Sequence, residues 1–135
     1  PSVNKLISVG IRSLSAEEKP FLDIDNTFFA HQLDNGDRWI EHVIKAISGP
    51  VYITLDLDVF DCSIMPSTGT PEPGGLSWNQ VTRLLKGVFE KQNVIGLDIV
   101  ELCPQPANLA PDFLAAKLLY KLLSYKFQSC KEVSQ

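Results

Sequence analysis

Residues 51–75 read VYITLDLDVFDCSIMPSTGTPEPGG, and this stretch limits the folds open to the chain more than any other. Val51, Tyr52, Ile53, Thr54 and Leu55 make an apolar, β-branched run that delivers Asp56, Asp58 and Asp61 to the place where a strand should end. Carboxylates beside a hydrophobic strand are costly unless something neutralises them. Acids gathered at a strand's C-terminal end are how an open α/β sheet builds a site for a hard cation. Alternate strand residues face opposite sides, but at a frayed end the twist lets Asp56 and Asp58 both turn toward the mouth of the sheet. Oxygen ligation with some imidazole suits Mn2+ or Mg2+ better than a soft metal. Two Asp side chains are nevertheless too few to hold a catalytic metal alone.

The surrounding pattern agrees with a parallel sheet. Lys5–Gly10 reads as a short strand, Ser13–Lys19 as a polar helical turn, and Thr27–Ala30 as a brief strand between loops. From Asp37 to Ile47 the residues Ile40, Val43, Ile44 and Ile47 recur at helical spacing until Gly49-Pro50 stops them. Ser77 is a good N-cap for a helix with the stripe Val81, Leu84, Leu85, Val88 and Phe89. Val94–Val100 is a near-continuous apolar run, as expected of a strand buried on both faces. Pro111 opens a last helix carrying Phe113, Leu114, Leu118, Leu119, Leu122 and Leu123. Strands alternating with helices imply right-handed βαβ units in one α/β domain, with no internal repeat and no linker.

Two features beside the first strand carry chemistry. The loop 59–76 is long for a compact domain and holds Pro66, Gly69, Pro71, Pro73, Gly74 and Gly75. Such a loop is stiffened by its prolines and suited to place groups such as the Thr68 and Thr70 hydroxyls. The plainer reading is a stiff surface connector with an acidic rim. The strand 94–100 runs into Glu101, which should face the same crevice as Asp56 and Asp58. A carboxylate there that is not needed as a ligand suits a guanidinium, which it binds through two parallel hydrogen bonds. Asp98, inside the apolar run, reads as a buried acid bonded to backbone.

Composition excludes other classes. With 135 residues, a formal net charge of −4 and a pI near 5.1, the chain offers no basic patch for nucleic acid or an anionic membrane. No apolar run approaches membrane-spanning length. Cys62, Cys103 and Cys130 form no C-x-x-C pair and fit free thiols, so a cytoplasmic protein is expected.

The motifs D-L-D-V-F-D at 56–61, S-T-G-T-P-E-P-G-G-L at 67–76 and G-L-D-I-V-E-L-C-P at 96–104 resemble the ureohydrolases: arginases, agmatinases and formimidoylglutamases. V-G-I-R-S at 9–13 resembles a further strand-end segment of that fold, so the likeness covers nearly the whole chain. T-P-E-P-G-G-L-S-W and F-L-A-A-K-L-L are more similar to agmatinases than to arginases. The resemblance implies a three-layer α-β-α fold with a mainly parallel sheet. It implies that Asp56 bridges two manganese ions, Asp58 ligates one, Thr70 lines the substrate pocket and Glu101 holds the guanidinium, with Asp61 orienting the loop behind them. It further implies a homo-oligomer, trimer or hexamer, acting on a small guanidino substrate. A hydroxide activated by two Mn2+ ions would attack the guanidinium carbon, turning agmatine into putrescine and urea.

This sequence departs from the family pattern in two ways. Cys62 stands where a proline is usual, and no D-x-H-x-D segment is present. His31 reads as a loop residue, His42 as a surface residue, and Asp23-Ile-Asp25 as loop. The expectation is therefore that residues 1–135 are the C-terminal part of a single ureohydrolase domain whose upstream half lies outside them. Four of six metal ligands would lie there too, and the chain alone would be inactive and expose an uncovered strand edge. The alternatives are an arginase or formimidoylglutamase of the same family, or a non-catalytic remnant that binds a partner or a cation. A haloacid-dehalogenase-like phosphatase ranks lower, because D-x-D falls mid-chain and T-G-T-P-E-P-G-G goes unexplained.

Overall fold

A computed structural model describes residues 3–33, 36 and 38–132, and side chains as far as Gln128. Asp37, the expected start of the first helix, and the Cys130 side chain lie outside the described residues. Strand β1 (Ser8–Ile11) pairs in parallel with β2 (Thr27–Phe29). Strand β3 (Val51–Asp56) pairs in parallel with β4 (Val94–Val100). Helix α1 (Arg38–Ala46) precedes β3, α2 (Trp78–Lys91) makes the β3–β4 crossover, and α3 (Ala110–Glu132) follows β4. This is the parallel α/β arrangement the sequence implied. None of the described helices is long and apolar enough to cross a membrane.

Local chemistry accounts for the boundaries. Ser77 caps α2 by accepting from the Gln80 N–H, while the Gln80 side chain accepts in return from the Ser77 N–H, a reciprocal capping box. The predicted stripe Val81, Leu84, Leu85, Val88 and Phe89 is buried throughout. Burying each such side chain contributes about 1.5–3 kcal/mol. In α1, Ile40, Val43 and Ile44 are buried as spaced, and Trp39 joins them. Gly87 lets the two helices meet, since an added Cβ there would lie 2.7 Å from Ile44 Cδ1.

Two expectations are corrected, and the buried face of the last helix is defined. β4 is not buried on both faces: Ile95 is 64% and Val100 40% exposed, and on the paired strand Tyr52 is 58% exposed. The described helices share one core with the inner residues Leu55 and Val94, so the opposite face of this strand pair lies open. Asp98 is half-exposed rather than buried, and side chains rather than backbone hold it: Tyr52 Oη and Thr54 Oγ1 donate to its two oxygens at 2.9 and 2.8 Å. Its charge raises the Tyr52 phenol's pKa above the ordinary value, chiefly through that hydrogen bond. In α3 the buried side is Ala115, Leu118 and Leu122, whereas Phe113 is 73% exposed and Leu119 and Leu123 also face outward.

Candidate functional site

The site starts where β3 ends. Register places Asp56 opposite Val100, so Glu101 follows one residue beyond the paired strands. Glu101 has φ +65°, a left-handed conformation uncommon outside glycine. After Asp56 the chain makes a tight turn over Leu57–Val59, and the Asp56 carboxylate caps it by accepting from the Asp58 N–H at 3.2 Å. Leu57 is fully buried and anchors that turn, leaving Asp58 half-exposed on its other side.

β1 braces the turn from outside. The Arg12 guanidinium donates to the Asp58 carbonyl, and to the Val59 carbonyl at 3.3 Å. Gly10 allows the close approach: it has φ +84°, and a Cβ built on it would lie 2.7 Å from Val59 Cγ2. Arg12 Nε is buried without a hydrogen-bond partner among the described residues.

The electrostatics of this corner are anionic. Burial pushes the Asp58 carboxyl above its ordinary pKa, the Asp56 charge and hydrogen bond add to that, Arg12 opposes it and Glu101 raises it further. Asp58 thus lies under the influence of two other carboxylates, Asp56 and Glu101, and of Arg12, whose guanidinium is turned onto backbone. Hard oxygen donors crowded against a deficit of positive charge fit a divalent cation such as Mn2+. They fit it only in part, because among the described residues no three His, Cys, Asp or Glu side chains converge as a ligand set.

The loop supplies the remaining walls. A cavity of about 370 Å3 is lined by Gly10, Arg12, Ser13, Asp58, Thr70 and Glu72. Thr70 therefore shares a cavity with Asp58. Glu101 does not line it but stands beside the loop: a Cβ on Gly69 would lie 3.7 Å from Glu101 Oε2, and the Cys103 N–H donates to the Ser67 carbonyl at 2.8 Å. Asp61 has other work. Its carboxylate accepts from the N–H groups of Ser63, Gly74 and Gly75 at 3.0, 2.8 and 3.2 Å, tying the two ends of the loop together. Those bonds, the Ser63 ones first, lower its pKa from 3.8 to about 2. The loop is not a surface connector, since Met65, Ser67 and Thr68 are buried. Arg12, Ser13 and Glu72 were given no role from sequence. The signal for Arg12 and Ser13 was the V-G-I-R-S strand end, and for Glu72 its place between two prolines.

A family model described as "Arginase family" matches residues 1–124, which take in every residue named above at this corner. The chain belongs to the arginase family. A relative from Synechocystis named N(1)-aminopropylagmatine ureohydrolase is 36% identical over 122 residues, 88% of this chain and 40% of its own length. An agmatinase of Pyrococcus horikoshii is 34% identical over 120 residues, 88% of this chain and 42% of its own length. The crystal structure of agmatine ureohydrolase of Thermoplasma volcanium superimposes with a TM-score of 0.80 at 38% identity, covering 96% of this chain and 44% of the other. This arginase-family chain spans about two fifths of the length of the curated relatives it matches.

Proposed function

We propose that this chain is the C-terminal part of a single ureohydrolase domain that hydrolyses a guanidino compound, agmatine or a close analogue, to an amine and urea. The observation that supports the reading is the parallel pairing that brings the end of β3, with Asp56 and Asp58, and the end of β4, with Glu101, to one strand edge in an arginase-family chain. The similarity to proteins named agmatinase and aminopropylagmatine ureohydrolase favours an amine product. The assembly is a homo-oligomer in the same reading.

Asp56 and Asp58 would hold part of a two-manganese centre, with the remaining ligands supplied from outside residues 1–135. When bound, the metal pair supplies Lewis-acid activation of water at neutral pH. Glu101 pairs with the guanidinium and orients its carbon toward the aspartates. Thr70 adds a hydroxyl along the same cavity, and Asp61 keeps the loop that carries Thr70 in place.

The test compares the 135-residue chain with a longer polypeptide carrying the additional length of the relatives, in manganese, against a panel of guanidino compounds. Urea release by the longer protein and none by the short chain is expected. Turnover by the 135-residue chain alone would overturn the division of ligands. In the longer protein, Asp58→Ala should lower bound manganese, whereas Glu101→Gln should keep the metal and lose turnover. Loss of metal in Glu101→Gln would remove its role on the guanidinium.

A further inference from the structure

The cavity beside Asp58 has a second acid that the proposed chemistry leaves unused. Glu72 is half-buried on the cavity wall, and its Oε2 accepts a hydrogen bond from the exposed Ser13 hydroxyl. Among the described residues it has no ion-pair partner. Its neighbours hold it still: Pro71 and Pro73 flank it, and a residue before proline is confined to extended conformations. Thr70 and Glu72, two apart in this segment, line the same cavity as Asp58. A ligand lying between the aspartate corner and the Ser13 edge therefore passes Thr70 and meets Glu72.

The charge balance of the wall selects what that ligand can carry. Away from the aspartate corner the wall carries the Glu72 carboxylate, and among the described residues the cation lining the cavity, Arg12, turns its guanidinium onto the Asp58 and Val59 carbonyls. A carboxylate tail would find Glu72 facing it and no cation turned toward it. A protonated amine would form a charge-assisted hydrogen bond with the Glu72 carboxylate while Ser13 fixes the other oxygen.

We infer that Glu72, braced by Ser13, is a specificity-determining residue that reads the far end of the substrate and selects a protonated amine over a neutral or carboxylate tail. This rests on the ureohydrolase reading above and names the tail chemistry of that site. Glu72 makes no contact with the reacting carbon in this scheme, so its removal acts on binding and not on the chemical step.

The experiment uses the longer manganese-loaded protein and three guanidines of matched length: agmatine, 1-butylguanidine and 4-guanidinobutyrate. Wild type should prefer agmatine. Glu72→Gln should raise the KM for agmatine about tenfold, the scale of one charge-assisted contact, with kcat unchanged and the KM for butylguanidine unmoved. Ser13→Ala should shift the agmatine KM in the same direction by less. Binding of 1,4-diaminobutane, followed by calorimetry, should weaken in parallel. Unfolding midpoints of both variants should match wild type, which separates tail reading from loss of structure. Equal KM changes for agmatine and butylguanidine, a fall in kcat alone, or a wild-type preference for guanidinobutyrate would each overturn the role of Glu72 and leave the ureohydrolase reading standing. Failure of the wild type to release urea from any of the three would overturn both.

Discussion

Gly10→Ala is the sharpest probe of how β1 supports the site. The substitution meets two separate penalties. At φ +84° an L side chain is strained, at a cost of about 1–2 kcal/mol. The new Cβ would also lie 2.7 Å from Val59 Cγ2. Carbon atoms in contact normally sit about 3.5–4.0 Å apart. Forcing such an overlap into packed structure costs about 1–3 kcal/mol. Together the expected destabilisation is about 2–5 kcal/mol. The second penalty depends on one methyl group and the first does not. Val59→Ala removes that methyl, so the double variant should recover the overlap and retain the backbone strain. In a double-mutant cycle by equilibrium urea unfolding, the two substitutions should therefore couple favourably by about 1–3 kcal/mol. Additivity within about 0.5 kcal/mol would refute the close approach of Gly10 to the Asp58 turn.

Three further outcomes are expected. The Asp61 carboxyl titrates at about 2 against an ordinary 3.8, so the stability it adds is complete above the higher value and disappears as pH falls through the lower. Acid unfolding of Asp61→Asn should thus lose stability less steeply than wild type across that window, and equal slopes would show that the loop bonds do not form. Leu118→Ala, at a fully buried position, should cost about 2–5 kcal/mol, whereas Phe113→Ala on the same helix should stay within about 0.5 kcal/mol; chemical denaturation of both decides which face of α3 is inside. Glu101→Asn should raise the unfolding free energy by up to about 1 kcal/mol through relieved left-handed strain, and in the longer polypeptide should abolish the proposed guanidino turnover; a lower unfolding free energy would mean that the conformation is not strained.

What could be read in advance follows the range of the interactions. Helix α2 was legible because its information is local: a capping Ser77 and an apolar stripe of constant period. β3 and β4 were legible as apolar runs ending in acids, and the arrival of Asp56 and Glu101 at one edge follows from parallel pairing alone. The partners of Asp98 were not legible, because Thr54 reaches it only through the cross-strand register. Arg12 was missed as a brace for the same reason, since its contacts with the Asp58 turn span 46 residues. Helix α3 was legible as a helix but not as a face. Leu114, Leu118, Leu119, Leu122, Leu123, Phe113 and Phe127 spread around most of its circumference, so no apolar period selects a face, and packing against α2 and β4 makes the choice. Glu72 stood in plain view within T-P-E-P-G-G, but a charge in a loop has no meaning until Ser13 and Asp58 are beside it.

The pairing of β3 with β4 also bears on the order in which the site is assembled. Thr54 and Asp98, joined across the strands, are 44 residues apart, and Arg12 is 46 residues from the turn it braces. Such non-local contacts carry their loop-closure entropy before any of them is rewarded, and they form slowly. Helix α2, with its own cap, is the local element that brings β4 back alongside β3. Glu101 thus stays far along the unfolded chain from Asp56 and Asp58, and repels them at close range only once the strands have closed. Like-charge crowding formed that late is expressed in the rate at which the native state opens rather than in the rate at which it is reached.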